Sequence, residues 1–390
     1  MKLGEMVSLV RGNTYKSSLL SETDGPVLLG LGSIERGGGF KRGSWKSYQG
    51  YTDIKILLHP GDIYVSLKDL TQSCDLLGAV SRVPDDLPVG RLTQDTVKLE
   101  FNSNVSEQER LYVYWSLRTP QYRAYCKARG TGTTNMSLSR ADYLAWELPP
   151  RSPVRAMLIA LFELIDKKVE LNNQLNGYLE ELADGMFRRH FGGLTDNATL
   201  ADFANVTMGQ SPAGSSYNEA GIGTIFYQGR AEFGWRYPTQ RLSTTEPKRM
   251  AKAGDVLMSV RAPVGDLNLA YEDCCIGRGL AAIHCDYPSY GLYLMRSLHK
   301  KLDAYNGEGT VFGSINGKAL NGLPIALPNN AAIRAFEKEA APIDTQIRNN
   351  EVESRALVTL RDTLLPKLMS GEIDVSKVDL TQLNSHLADC

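Results

Sequence analysis

Metal-ligand spacing, disulfide patterning and catalytic signatures are all missing from this sequence. Its six cysteines, Cys74, Cys126, Cys274, Cys275, Cys285 and Cys390, form no C-x-x-C pair and no zinc pattern. Cysteines spaced this way read as reduced and structural. The five histidines are scattered without an H-E-x-x-H motif, so no metal site is expected. The longest apolar run, Ala156 to Phe162, falls far short of the roughly 20 residues of a membrane-spanning helix. The start, Met1-Lys2-Leu3-Gly4-Glu5, carries no signal-like apolar segment, which predicts a cytoplasmic protein.

Catalytic motifs are equally scarce. Gly277-Arg278-Gly279-Leu280-Ala281-Ala282 fits a loose G-x-G-x-x-A pattern. A dinucleotide turn must open a helix, however, and Ala282-Ile283-His284-Cys285 reads as a strand that stops before Pro288. Gly313-Ser314-Ile315-Asn316-Gly317-Lys318 lacks the phosphate-loop spacing and the Ser or Thr after its lysine. There is no G-x-S-x-G elbow, no carboxylate–lysine nuclease cluster and no Asp/Asn-Pro-Pro-aromatic motif of a base methyltransferase. The chain is expected to perform no chemistry itself and to bind no cofactor.

What the sequence does contain is a repeat. Leu3 through Gly12 aligns without gaps on Leu200 through Gly209, and Pro60-Gly61-Asp62-Ile63-Tyr64-Val65-Ser66 aligns on Ala253-Gly254-Asp255-Val256-Leu257-Met258-Ser259. Gly130 through Pro149 matches Gly309 through Pro328 at an offset of 179. Two amphipathic segments also correspond. Ile165-Asp166 matches Ile343-Asp344, Asp184 matches Asp362, Met186-Phe187 matches Leu364-Leu365, and Gly193 matches Gly371, each 178 positions apart. One unit has been duplicated as globular part, long helix, globular part, long helix. With 390 residues, each globular part can bury its own core.

Both segments show the three–four alternation of a coiled-coil seam. In the first it reads Leu161, Leu164, Leu171, Leu175, Tyr178 and Leu182, broken by Lys168. In the second it reads Ile333, Phe336, Ala340, Ile343 and Ile347, then polar Asn350 and Ser354, then Leu357 and Leu364. Polar seam positions cost stability but can fix partner and register. Antiparallel pairing is expected, which gives the molecule a pseudo-two-fold axis. The fold class is α+β: two similar globular units joined by two long helices. About 27 helical residues make a spacer of about 40 Å, comparable to one turn of B-DNA at about 34–36 Å.

A net charge of −1 argues against coating nucleic acid by bulk charge, but the local distribution is basic in the same place twice. Arg36, Lys41, Arg42, Lys46 and Lys55 face only Asp53 and alternate with Phe40, Trp45, Tyr48 and Tyr51. The matching stretch carries Arg230, Arg236, Arg241, Lys248, Arg249, Lys252 and Arg261 among Phe226, Tyr227, Phe233, Trp235 and Tyr237. Such a run in both copies points to nucleic acid. The candidate DNA-binding residues are Arg36, Lys41, Arg42, Lys46 and Lys68 in the first unit, and Gln228, Arg230, Arg236, Arg241 and Arg261 in the second. Arg and Gln suit bidentate base contacts; Lys more often meets phosphate.

With these features in place, the chain resembles the specificity (S) subunits of type I restriction–modification systems over residues 1–375. The most specific block is Leu360-Arg361-Asp362-Thr363-Leu364-Leu365-Pro366-Lys367-Leu368-Met369-Ser370-Gly371-Glu372-Ile373. Lys252 through Ser259 and Gly309 through Pro328 are similar to the family's target recognition domains. The first helix departs from the pattern, ending Met186-Phe187-Arg188-Arg189-His190-Phe191. The resemblance implies target recognition domains at 1–152 and 194–330, spacer helices at 153–193 and 331–375, and a tail at 376–390. It implies that each recognition domain reads half of a bipartite double-stranded DNA site. The helices, through Leu161, Leu164, Leu171, Leu175, Leu182, Ile343, Ile347, Leu357 and Leu364, would set the gap and dock two modification (adenine methyltransferase) subunits. S-adenosylmethionine would bind those subunits, and ATP and Mg²⁺ the restriction subunits. Two other readings stay open: a specificity chain serving a fused methyltransferase–nuclease, and a coiled-coil scaffold with no DNA role.

Overall fold

The computed structural model describes residues 1–43, 45–133, 135–307 and 313–370. Several sequence expectations lie outside them: Gly309-Thr310 at the head of the third repeat block, the Gly193–Gly371 match, and the tail at 376–390. The chain forms two compact units. The first holds Met1–Val169 and the segment from Arg355 onward; the second holds Glu170–Ser354.

Each unit carries the same pair of sheets. In the first, an antiparallel sheet runs Val7–Arg11, Thr96–Phe101, Ile63–Ser66, Val80–Arg82. In the second, the order is Asn205–Met208, Leu280–His284, Val256–Ser259, Leu267–Leu269. The other sheet has five short strands: Leu20–Ser21, Ser47–Tyr48, Val27–Leu29, Gly90–Leu92, Leu57–Leu58. Its counterpart is Tyr217–Asn218, Leu242–Thr244, Thr224–Tyr227, Cys274–Ile276, Met250–Ala251. The parallel pairing within this sheet recurs too, Val27–Leu29 on Gly90–Leu92 and Thr224–Tyr227 on Cys274–Ile276. The Gly-Asp turns match too: Gly61 and Gly254 sit at φ +84° and +89°, a conformation glycine adopts at little steric cost.

One alignment is corrected. Leu3 N–H donates to Trp146 O, as Leu200 N–H does to Leu323 O, and Leu138 N–H donates to Leu67 O, as Ile315 N–H does to Val260 O. These pairs place the last block at an offset of 177 rather than 179, so Leu148 corresponds to Ile325 and not to Leu327. Short Gly-Thr and Leu-Pro identities bracketed the block in sequence, but backbone pairing sets the register. Two helices follow the sheets of the first unit, Glu107–Ser116 and Pro120–Arg129. Thr119 caps the second, which begins on Pro120, a residue suited to the first helical turn.

The long helices are Pro153–Phe191 and Asn330–Ser370. Ser152 Oγ accepts from Arg155 N–H and Asn329 Oδ1 from Ala332 N–H at their starts, satisfying otherwise unpaired helix donors. Each globular core contains the start of one helix and the end of the other. Leu158, Phe162 and Ile165 share a core with Leu365 in the first unit; Ile333, Phe336 and Ala340 share one with Ala183 and Phe187 in the second. The pairing is antiparallel: within the second unit, Asn172 meets Ser354 while Asn176 meets Asn350.

The first-helix seam read from sequence is displaced by one residue. Leu164, Leu171, Leu175, Tyr178 and Leu182 are 44–69% exposed, and Leu161 is only half-buried. Phe162, Ile165, Asn172, Asn176, Ala183 and Phe187 are buried instead. The leucines kept the right period but lie on the outer face, and the true seam was disguised by two asparagines. In the second helix, Ile347 is fully buried while Ile343, Leu357 and Leu364 pack partly buried against the cores.

Candidate nucleic-acid interface

In each unit, several strand ends converge on one junction of loops. In the second unit, Gly209 N–H donates to Leu280 O at 2.9 Å, Gln210 N–H to Ile276 O at 3.0 Å and Gly277 N–H to Tyr227 O at 2.8 Å. Val260 N–H closes the cluster on Gly279 O at 3.0 Å, which brings Arg261 beside the Gly277-Arg278-Gly279 turn. Backbones approach so closely that a Cβ on Gly209 would overlap the Gly277 carbonyl oxygen. The first unit repeats the junction: Gly12 N–H donates to Thr96 O at 3.2 Å, and a Cβ on Gly12 would overlap Thr93 O. Glycine there is a packing requirement.

This shared framework sets position against position. Ser66 pairs Thr96 as Ser259 pairs Leu280, and Leu92 faces Leu29 as Ile276 faces Tyr227. Counting along the chain then makes Gln94 the equivalent of Arg278, Asp95 of Gly279, Asn13 of Gln210, and Lys68 of Arg261. Lys68 pairs with Ser137 and Arg261 with Ser314, confirming the last match. Gln94, Gln210, Gln228, Arg261 and Arg278 are exposed, and their side chains have no hydrogen-bond or ionic partner among the described residues. Asn13 differs. Its Oδ1 accepts from Arg91, a 1%-exposed guanidinium that also donates to Thr14 O at 3.0 Å and stacks 4.6 Å from the Tyr48 ring. Burial pulls the Arg91 pKa below its ordinary value.

The sequence-derived residues divide sharply. Lys41 is exposed, with no side-chain partner among the described residues. Arg36, 83% exposed, lies 3.8 Å from Asp75, and Lys46 lies 3.9 Å from Glu22. Arg42 binds both Asp86 oxygens at 2.7 and 3.1 Å, a hydrogen-bonded pairing that holds the Asp86 carboxyl below its usual pKa. Lys68 contacts Asp95 at 2.8 Å, Arg230 contacts Asp266 at 2.5 Å and Arg241 contacts Glu232 at 2.7 Å. The Lys68 and Arg230 pairs lie at the surface, where such pairs hold only weakly, so DNA phosphates can compete for these two cations; Arg241 is held by a carboxylate that is only 3% exposed. An open cleft of about 400 Å³ lies beside the first junction, lined by Tyr15, Trp45, Lys46, Thr93, Gln94 and Asp95 among others.

Arg236 does not belong to this surface, and that expectation is corrected. Its side chain is 2% exposed and bridges Glu180 at 3.4 Å and Asp344. Tyr293 Oη donates to the same Asp344 oxygen at 3.0 Å. Burial alone would lower the guanidinium pKa, but the neighbouring Asp344 and Tyr293 raise it overall. A buried cation neutralised in this way is part of the scaffold. The equivalent of Asp344 at the 178-residue offset is Asp166, held by Arg118 at 3.4 Å and by Arg361. Sequence reading passed over Gln94, Gln210 and Arg278. For Arg278 the sequence signal is the Gly277-Arg278-Gly279 motif, a tight turn that presents its middle residue instead of opening a helix.

At the centre of the helix pair within the second unit, polar side chains replace the apolar seam. Asn172 Nδ2 donates to Ser354 Oγ at 3.1 Å and to the Glu353 carboxylate at 2.8 Å. Asn350 Nδ2 donates to Asn176 Oδ1 at 2.8 Å, and Gln346 donates to Asn350 Oδ1 at 2.8 Å. Asn172 corresponds to Asn350, and Asn176 to Ser354, at the 178-residue offset. The two contacts therefore exchange under the repeat, as contacts across a local two-fold axis must. Among the described residues no His, Cys, Asp and Glu cluster could hold a metal ion, and no helix is long and apolar enough to cross a membrane.

Comparison with known proteins agrees with this geometry. No protein-family model matches the chain. The chain is 30% identical over 298 residues, 70% of its own length and 70% of the relative's, to a protein of Methanocaldococcus jannaschii provisionally named the type I restriction enzyme MjaX specificity subunit. It is 22% identical to the type I restriction enzyme HindI specificity subunit of Haemophilus influenzae, over 71% of this chain and 64% of that one. In fold it is similar to the crystal structure of the type I restriction–modification S subunit from M. genitalium, with a TM-score of 0.55, 16% identity, and coverage of 94% and 95% of the two chains. The duplicated α+β units, the paired long helices and the level of identity lead to one conclusion: this chain belongs to the specificity subunits of type I restriction–modification systems.

Proposed function

We propose that each globular unit reads one half of a bipartite double-stranded DNA site, and that the paired helices fix the gap between the halves. The observation that carries this reading is the loop junction. One backbone framework occurs twice, and equivalent positions on it hold different side chains, Gln94 against Arg278 and Lys68 against Arg261. A duplicated framework with divergent tips suits an asymmetric site whose halves differ in sequence.

The chain holds DNA and performs no reaction itself. Methylating a base requires lifting it out of the stack, so a separate modification subunit would take the adenine while this chain grips the duplex. S-adenosylmethionine belongs to that subunit, and ATP and Mg²⁺ belong to restriction subunits. Two modification subunits would dock on the long helices. In the second unit, Leu171, Leu175, Tyr178 and Leu182 form an apolar stripe at heptad spacing that is 44–69% exposed. Large apolar side chains grouped on a surface mark an interaction site. The assembly would act on DNA in the cytoplasm.

The test is selection of a randomised double-stranded DNA library by the chain together with its host's modification subunits, at several salt concentrations. Expected is a bipartite consensus with a fixed gap and an affinity that falls steeply with salt. A flat salt response with no consensus would leave only a scaffold role.

A further inference from the structure

We infer that Gln94 and Arg278, equivalent residues at the tips of the two loop junctions, are base-reading side chains, Gln94 for an adenine and Arg278 for a guanine. This rests on the DNA-reading function proposed above and assigns the chemistry of its two halves.

Three observations carry it. The first is presentation. Arg278 stands between Gly277 and Gly279, and both glycines press against the Gln228–Gly229 backbone: a Cβ on Gly277 would come within 2.8 Å of Gln228 O, and one on Gly279 within 2.9 Å. The turn is packed at its base and leaves its middle residue outside. Gln94 occupies the same place between Thr93 and Asp95, with Thr93 N–H held by Thr96 Oγ1 at 3.1 Å and Thr96 Oγ1 donating to Leu29 O at 2.9 Å. A reader mounted on a rigid base loses less freedom on binding than one on a loose loop.

The second is vacancy. Most of the sequence-derived arginines are already engaged: Arg236 is buried, and Arg42, Arg230 and Arg241 bind carboxylates. Gln94 and Arg278 have exposed side chains without a partner among the described residues. Both can offer all their donors to a base edge without first breaking an ion pair.

The third is the neighbourhood. Around Arg278 stand exposed Gln210, Gln228 and Arg261, and no carboxylate sits at Gly279. In the first unit the same position is Asp95, which holds Lys68 at 2.8 Å. The second junction is therefore the more cationic, and the first is more amide in character. Arginine pairs bidentately with guanine O6 and N7, and glutamine with adenine N6 and N7. Lys68 and Arg261, the other matched pair, flank the tips where backbone phosphates would run.

Library selection with the chain and its host's modification subunits tests the assignment. Arg278→Ala should lose preference at one G·C pair of one half-site, by roughly 5- to 150-fold, and Arg278→Lys, which lacks the planar fork, should lose a smaller part of it, with all other positions retained. Gln94→Ala should lose one A·T preference in the other half-site alone, and Arg278→Gln should turn the guanine preference toward adenine. Unchanged calorimetric melting certifies that each variant is folded, and Arg278→Lys keeps the charge. A variant consensus identical to that of the wild type, with affinity lowered uniformly across sequences, would make these residues phosphate contacts and overturn the inference. A wild-type chain that selects no bipartite consensus would instead overturn the DNA-reading function itself.

Discussion

Replacing Arg236 separates a scaffold role from a reading role. The guanidinium is 2% exposed, and its partners Glu180 and Asp344 are only 14% and 15% exposed. Glu180 would keep Arg296, 2.5 Å away. Among the described residues, Asp344 would keep the Tyr293 hydroxyl alone as a hydrogen-bond partner, at 3.0 Å. Removing one member of such a buried pair typically costs about 3–5 kcal/mol, and each kcal/mol lowers the melting temperature of a domain this size by about 2–4 °C. Arg236→Ala should therefore lower the melting of the second unit by roughly 6–20 °C. Calorimetry is the right assay, because two compact units can melt separately. Arg236→Met combined with Asp344→Leu should recover most of the loss, since a well-packed apolar substitute does not leave a buried charge alone. Base preference measured well below the melting temperature should be unaltered. Melting within the range of an ordinary surface change, about 0.5 kcal/mol, together with a lost base preference would refute the reasoning and return Arg236 to the DNA surface.

Asn350→Leu should destabilise the helix pair by about 1–3 kcal/mol by orphaning the buried Asn176 oxygen, read as a lower denaturant midpoint. Gly209→Ala should cost a similar amount through overpacking against Gly277, as should Gly12→Ala in the first unit; unchanged stability in both would mean the junctions are loose. Leu175→Glu should leave melting within about 0.5 kcal/mol but abolish co-purification with the modification subunits. One heptad added to each long helix, about 10 Å, should lengthen the gap in the selected site by about three base pairs at about 3.4 Å each.

Much of this organisation was legible in the sequence, because duplication writes each feature twice. Leu3 on Leu200 and Ile63 on Val256 gave the strand correspondence correctly. The helix seam was misread for a physical reason. Heptad reasoning assumes that leucine seeks the partner helix, but here four leucines lie on the outer face while asparagines occupy the middle of the seam. The repeat held the remedy: Asn350 was placed on the second seam, and its equivalent at the 178-residue offset is Asn172, on the true first seam. Arg236 failed as a DNA candidate because its carboxylate partners lie 56 and 108 residues away, beyond any local pattern. Gln94 escaped notice because a lone glutamine among polar residues has no sequence signature. Only the backbone pairing shows that it stands where Arg278 stands.

Methylome sequencing of a host carrying the system, with and without this gene, tests the central claim most directly. If two copies of one framework read two half-sites, adenine methylation at a single bipartite motif with a fixed gap should be present with the gene and vanish without it. Methylation that persists unchanged after deletion, or that depends on the gene but follows one continuous motif, would contradict it.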